Sequence, residues 1–427
     1  LSIDRKLALC GAVDLLMRFF IFAIGLTLLA GEQVRAENWP TWRGLRLDGR
    51  SADSSFPTAA TAETISWKTP LRGQGHASPI VWDDKVFTVS CDAAKEERLL
   101  ICLDRATGAV VWETVVLKSP LEGKHRLNSH ASSTPATDGT RIYTAFLDGD
   151  EVVVSAFDFA GKPLWEKRPG TFASKHGFSS SPILFEDKVI VNCDHDGDGY
   201  MVALGVADGA EQWRIDRPNK TRSYCVPLIR ELAGRPQMVL SGTKCVASYD
   251  PRDGKEIWRI DGPTEQFVAS LVHHEKSGLL FMTGGFPEHH ILAIRPDGTG
   301  NVTDTHIVWR TNQGVAYVPS PVVAGDFFFS VSDSGVLHCF DVLTGEIYWT
   351  ERTREHHASL AVADGKVYLI NDFGTLRVVE PGKTYKLLAE SELEEKVFAS
   401  PAFSEGQIWV RGENHLICLG KRVAVAE

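Results

Sequence analysis

Ten side chains able to bind or to move protons stand in short stretches that each run into a β-rich segment. They are His76, Asn128 and His130, His176, Arg222 with Tyr224, Gln266, Tyr317, and His356 with His357. Imidazoles ligate metals or relay protons near neutral pH. A guanidinium, phenols and amides orient a ligand by hydrogen bonding. Each side chain could equally serve its own loop, so any joint role depends on a fold that brings the stretches together. A second cluster, Asp194-His195-Asp196-Gly197-Asp198-Gly199, opens like a calcium loop. Its twelfth place is Gly205, where an EF-hand requires an acidic residue. A solvated Asp/Gly turn fits better, which leaves Asp194, Asp196 and Asp198 as weak metal candidates. No G-x-S-x-G, H-E-x-x-H, phosphate loop, dinucleotide fingerprint or C-x-x-C occurs, so no catalytic residue is assigned.

The elements that must position these groups repeat. Asp104-Arg105-Ala106-Thr107-Gly108 is followed four residues after the glycine by Trp112, and the pattern returns at Gly209 with Trp213, Gly254 with Trp258 and Gly345 with Trp349. Looser copies are Gly161 with Trp165 and Gly298 with Trp309. Eight segments begin alike, at Ser78-Pro79, Thr134-Pro135, Ser181-Pro182, Val226-Pro227, Ser270, Ser320-Pro321, Ser359 and Ser400-Pro401. Their spacing averages about 46 residues, the length of one four-stranded propeller blade. The last segment has only three strands, whereas Ile65-Ser66-Trp67-Lys68-Thr69 is a strand with no repeat before it. Pairing the two closes a ring of eight blades and removes the free sheet edges at the seam. Seven outer-strand slots then carry tryptophan (Trp67, Trp112, Trp165, Trp213, Trp258, Trp309 and Trp349), and Lys386 takes the eighth. An indole there can lie across the next blade and donate its N–H to that blade's backbone, burying on the order of 200 Å².

At the N-terminus, Met17-Arg18 precedes an apolar run from Ile21 to Ala30 and then Val34-Arg35-Ala36. This reads as a secretory signal, too short to span a membrane comfortably. The expected division is an extension and signal over 1–36 and a propeller over 37–427. The chain of 427 residues carries a net charge of −10 and shows no basic run, which argues against a nucleic-acid partner. Its cysteines read as small apolar fillers; Cys91 and Cys102 flank one hairpin and are the pair that a disulfide would join.

The Asp-x-x-Thr-Gly-x-x-x-Trp repeat resembles that of the quinoprotein-type, or pyrroloquinoline-quinone (PQQ)-like, β-propellers over about residues 39–421. The Trp39-Pro40-Thr41-Trp42-Arg43-Gly44 opening and the stretch from Cys193 to Asp198 resemble those of a branch of exported bacterial propellers. The resemblance implies an all-β, eight-bladed fold and leaves activity open, because the family holds both PQQ-dependent dehydrogenases and cofactor-free members such as BamB. The dehydrogenases bring a vicinal cysteine pair and a Ca²⁺ site; this chain has no adjacent cysteines. The expectation is a periplasmic or secreted, non-catalytic binding or scaffold module without a cofactor and without a membrane span once the signal is cleaved. Its partner would be an envelope protein or a small molecule held at the channel mouth. The alternatives are a dehydrogenase using PQQ with Ca²⁺ on an alcohol or sugar, and a BamB-like outer-membrane assembly factor.

Overall fold

The computed structural model describes residues 37–173 and 175–421; the expected signal lies outside them. Among the described residues every regular element is a strand, and the strands form eight sheets. Blade 6 shows the plan with Val322–Ala324 innermost, then Phe327–Val331, Val336–Asp341 and, outermost, Ile347–Arg352. The middle strands lie between neighbouring blades and are buried on both faces. Glu97–Asp104 of blade 1 is therefore a nearly unbroken apolar run, whereas its outer strand Val110–Lys118 alternates toward solvent. Ile65–Pro70 pairs antiparallel with His415–Leu419 and completes blade 8, with Trp67 opposite Cys418.

Two belts hold the blades together. The outer belt is the tryptophan set. Trp67 Nε1 donates to Arg105 O of the next blade at 3.0 Å, and Trp112 reaches Phe159 O at 3.0 Å. Trp165, Trp213, Trp309 and Trp349 do the same to Val206, Pro251, Val342 and Gly382. The glycine of the repeat lies under the indole of the blade before it. A Cβ on Gly161, which has φ +78°, would meet Trp112 Cε3 at 2.8 Å. Glycine is required there twice, for its left-handed backbone and for the missing side chain.

Blade 4 departs from the plan. It gains a short fifth strand, Gly300–Asn301, parallel to its outer strand Glu256–Asp261. Beneath this cover Trp258 is fully buried and donates to Gln237 Oε1 of its own blade at 2.8 Å, and not to its neighbour's backbone. Gln237 Nε2 in turn donates to Pro296 O of blade 5 at 2.9 Å, so the amide relays the link. Blade 7 corrects the placing of Lys386: a longer turn shifts the register, and Ala389 stands opposite Val378 where other blades have tryptophan.

The inner belt explains the serine or threonine that opens six of the eight segments. Ser78 N–H donates to Thr134 Oγ1 at 2.9 Å and Thr134 N–H to Ser181 Oγ at 2.9 Å. From Val226 the relay runs through Ser270, Ser320, Ser359 and Ser400 at 2.9–3.1 Å. Each hydroxyl satisfies a buried backbone N–H of the preceding blade, a donor that would otherwise be costly.

The opening segment plugs one end of the ring. Residues 39–51 reach every blade: Trp39 pairs with Val81, Pro40 O accepts from Thr137 N–H, and Thr41 Oγ1 donates to Pro182 O. Asp48 binds Arg230 at 2.8 Å, Arg50 lies 3.7 Å from Glu275, and Arg43 Nη2 donates to Pro321 O at 2.6 Å. Gly49 and Ser51 bond to Val362, and Trp39 packs on Phe403 with ring centroids 5.9 Å apart. All seven cysteines in the described residues are free and buried. Cys91 stands opposite Arg98 and Cys102 opposite Phe87, so this hairpin does not bring the two together as a disulfide pair.

Candidate functional site

At the end away from the plug the channel opens as a cup of about 500 Å³. Its wall is set by register. Two residues before each inner-belt position stand His76, Ser132, Ser179, Tyr224, Val268, Val318, His357 and Phe398, one from each blade, and all eight line the cup. The entry to each inner strand is extended, so positions alternate between channel and interior. Below this ring the space narrows past the serine belt and ends on Trp42 of the plug. The cup therefore has one opening. A separate hollow of about 410 Å³ between blades 5, 6 and 7 holds Lys276 on Asp326 at 2.8 Å, and the Tyr348 hydroxyl donates to Asp341 at 2.6 Å.

Seven of the ten sequence candidates meet at the cup: His76, Asn128, His176, Tyr224, Gln266, Tyr317 and His357. Three do not line it. His130 Nε2 is turned to Glu122 O at 2.9 Å, and Arg222 is bound to Asp196. His356 is 1% exposed, one register step from the channel, with Nδ1 3.1 Å from Arg354 O. The structure adds His125, Ser132, Ser179 and Asp333, with Trp42 below. A fixed offset of two from the Ser/Thr position would have found both serines; choice by side-chain type passed over them.

The three aspartates do not converge. Asp194 is fully buried on Arg217 at 2.8 Å, unlike the solvated turn expected there, while Asp196 holds Arg222 and Asp198 holds Lys220 at 2.7 Å. At the cup, Asp333 accepts from the N–H groups of Tyr317 and Val318 at 3.0 and 3.1 Å, and Asp372 Oδ2 lies 2.6 Å from His357 Nδ1. No group of three His, Cys, Asp or Glu side chains among the described residues is placed to hold a metal.

Two imidazoles of the wall are driven apart in basicity. Burial, with Lys124, Arg411 and His357 nearby, pulls His76 down to about 4. Burial also opposes the charged form of His357, yet Asp372 and Asp333 outweigh it and hold this pKa above the usual histidine value. Phe398 lies between them, stacked on His76 at 4.6 Å and tilted to His357 at 5.9 Å. The cup thus offers an aromatic wall, an imidazole that holds its proton more tightly beside one that holds it less, and amides at its lip, a set suited to holding a ligand by stacking and hydrogen bonds.

A family model described as outer membrane protein assembly factor BamB matches residues 95–351 and 246–384. The outer membrane protein assembly factor BamB of Shewanella oneidensis is 23% identical over 348 residues, 79% of this chain and 73% of that protein. The crystal structure of BamB from Moraxella catarrhalis superposes with a TM-score of 0.57 at 11% identity, covering 85% of this chain and 99% of that one. Quinohemoprotein alcohol dehydrogenase from Comamonas testosteroni gives 0.64 at 12% identity over 91% of this chain and 82% of that one. At such identities the two structures speak for the fold alone.

Proposed function

Because the chain belongs to the PQQ-like propeller family whose model is described as outer membrane protein assembly factor BamB, we propose that it is a non-catalytic binding module of the bacterial envelope. It engages its partner or ligand through the open cup and serves outer-membrane protein assembly from the periplasm. The observation that carries this reading is the one-ended channel. Thirteen residues seal one face against all eight blades, while the other face gathers one wall residue from each blade into a cavity. A surface assembled from eight distant stretches over a closed floor suits recognition. It gives no route for passage through the ring.

The test is a pull-down from envelope extract with the full chain and two variants, Tyr317→Ala at the cup and Leu45→Glu on the plug face. Recovery of an outer-membrane assembly component by wild type and Leu45→Glu, with loss in Tyr317→Ala, is expected. Recovery that ignores Tyr317 but fails with Leu45→Glu would move the contact to the other face. Titration with PQQ and Ca²⁺ is expected to leave no quinone absorbance on the protein; dye-linked alcohol or sugar oxidation would overturn the non-catalytic part.

A further inference from the structure

Charge around the cup is unevenly paired. The chain is acidic overall, at −10, yet four carboxylates around the mouth are engaged. Asp372 is held by His357, Asp196 by Arg222, Glu122 by Arg98, and Asp333 by two backbone N–H groups. Two cations there are not. Lys124 and Arg126 flank the wall residue His125, act electrostatically on His76 and His357, and have no carboxylate partner among the described residues. Behind the wall Arg411 is 1% exposed, makes no ion pair among the described residues, and leaves Nη1 without a hydrogen-bond partner. The wall also carries apolar groups, Val268, Val318 and Phe398, above Trp42.

An apolar well with a cationic lip on one side selects for a molecule divided the same way. Resting on the reading that the cup is the binding surface, we propose that it takes a small amphipathic anion. The apolar body lies against Phe398, Val268 and Val318, and the acidic group meets Lys124 and Arg126. A cavity of this size suits a body of about two or three rings. The lip supplies long-range attraction and orientation. The wall supplies the buried area.

A matched dye pair tests this. 8-Anilino-1-naphthalenesulfonate carries a sulfonate on the ring system of N-phenyl-1-naphthylamine, which is neutral. Titrated into the full chain at low salt, the sulfonate is expected to bind one equivalent about tenfold more tightly than the neutral dye, the product of two exposed charge contacts each worth a few-fold. In 0.5 M NaCl, where screening lengths fall to about 4 Å, that preference should largely vanish. The double variant Lys124→Glu, Arg126→Glu should lose the preference while still binding the neutral dye, which also reports that its cup is intact. Phe398→Ala should weaken both dyes. Equal affinities in wild type, or a preference that survives the double variant, would overturn the proposal while leaving the assembly role standing. Failure of both dyes to enter, together with a pull-down indifferent to Tyr317, would remove the cup from both.

Discussion

The contact between one blade's tryptophan and the next blade's glycine predicts a specific inequality between two glycine substitutions. Gly161 and Gly365 both have positive φ, +78° and +69°. Alanine at either should cost about 1 kcal/mol for the left-handed backbone alone. At Gly365 the added methyl meets nothing within 4 Å, so the cost should stop there. At Gly161 the methyl would lie 2.8 Å from both Trp112 Cε3 and Thr114 Oγ1. The turn cannot simply move away, because Trp112 donates to Phe159 O and Thr114 donates to Gly161 O at 2.9 Å. Relief requires losing at least one of these bonds, about 1 kcal/mol, and overpacking against the indole, about 1–3 kcal/mol. Gly161→Ala should therefore destabilise by about 3 kcal/mol or more, and Gly365→Ala by about 1 kcal/mol. Chemical denaturation midpoints followed by tryptophan fluorescence measure both. Equal losses would mean that the indole does not clamp the neighbouring turn, and the account of the outer belt would fall.

Two further outcomes follow from the same packing. Gln237→Leu strands Trp258 Nε1 and Ser248 Oγ without an acceptor and Pro296 O without a donor, so it should cost about 3 kcal/mol or more in the denaturation midpoint, and a near-neutral result would refute the relay. His356 and His76 are both held down to about 4 by burial, so between that value and the unfolded value of 6.5 the unfolded chain binds more protons and stability falls as pH falls. His356→Asn should flatten that acid limb by up to about 3 kcal/mol at its foot; an unchanged pH profile would contradict the buried neutral imidazole. His357 has the opposite sign, since its raised value stabilises the folded chain at low pH and that contribution is lost as pH rises through it.

The fold was legible because its signals repeat. A glycine turn at fixed distance from a tryptophan, together with a leading strand lacking its own repeat, gave the blade number and the seam. What occurs once left no periodic trace. The plug from Trp39 to Ser51 is such a case, and its role appears only when Val81, Pro182, Pro321 and Val362 are found on one face. Gln237 likewise looks like an ordinary strand residue until Trp258 is seen to lack its neighbour's carbonyl. The slot given to Lys386 failed because counting from Gly382 ignores a turn that loops out before Ala389. At the site, His356 and His357 are equivalent in composition, yet one register step puts the first in the interior and the second in the cup.

The central claim, that the unplugged face is the binding face, is tested most directly by photo-crosslinking in the living envelope. A photoreactive phenylalanine analogue would be placed singly at His125 on the cup lip or at Leu45, 58% exposed within the plug. Adducts to an envelope component from position 125 and none from position 45 are predicted. Adducts confined to position 45 would contradict the account.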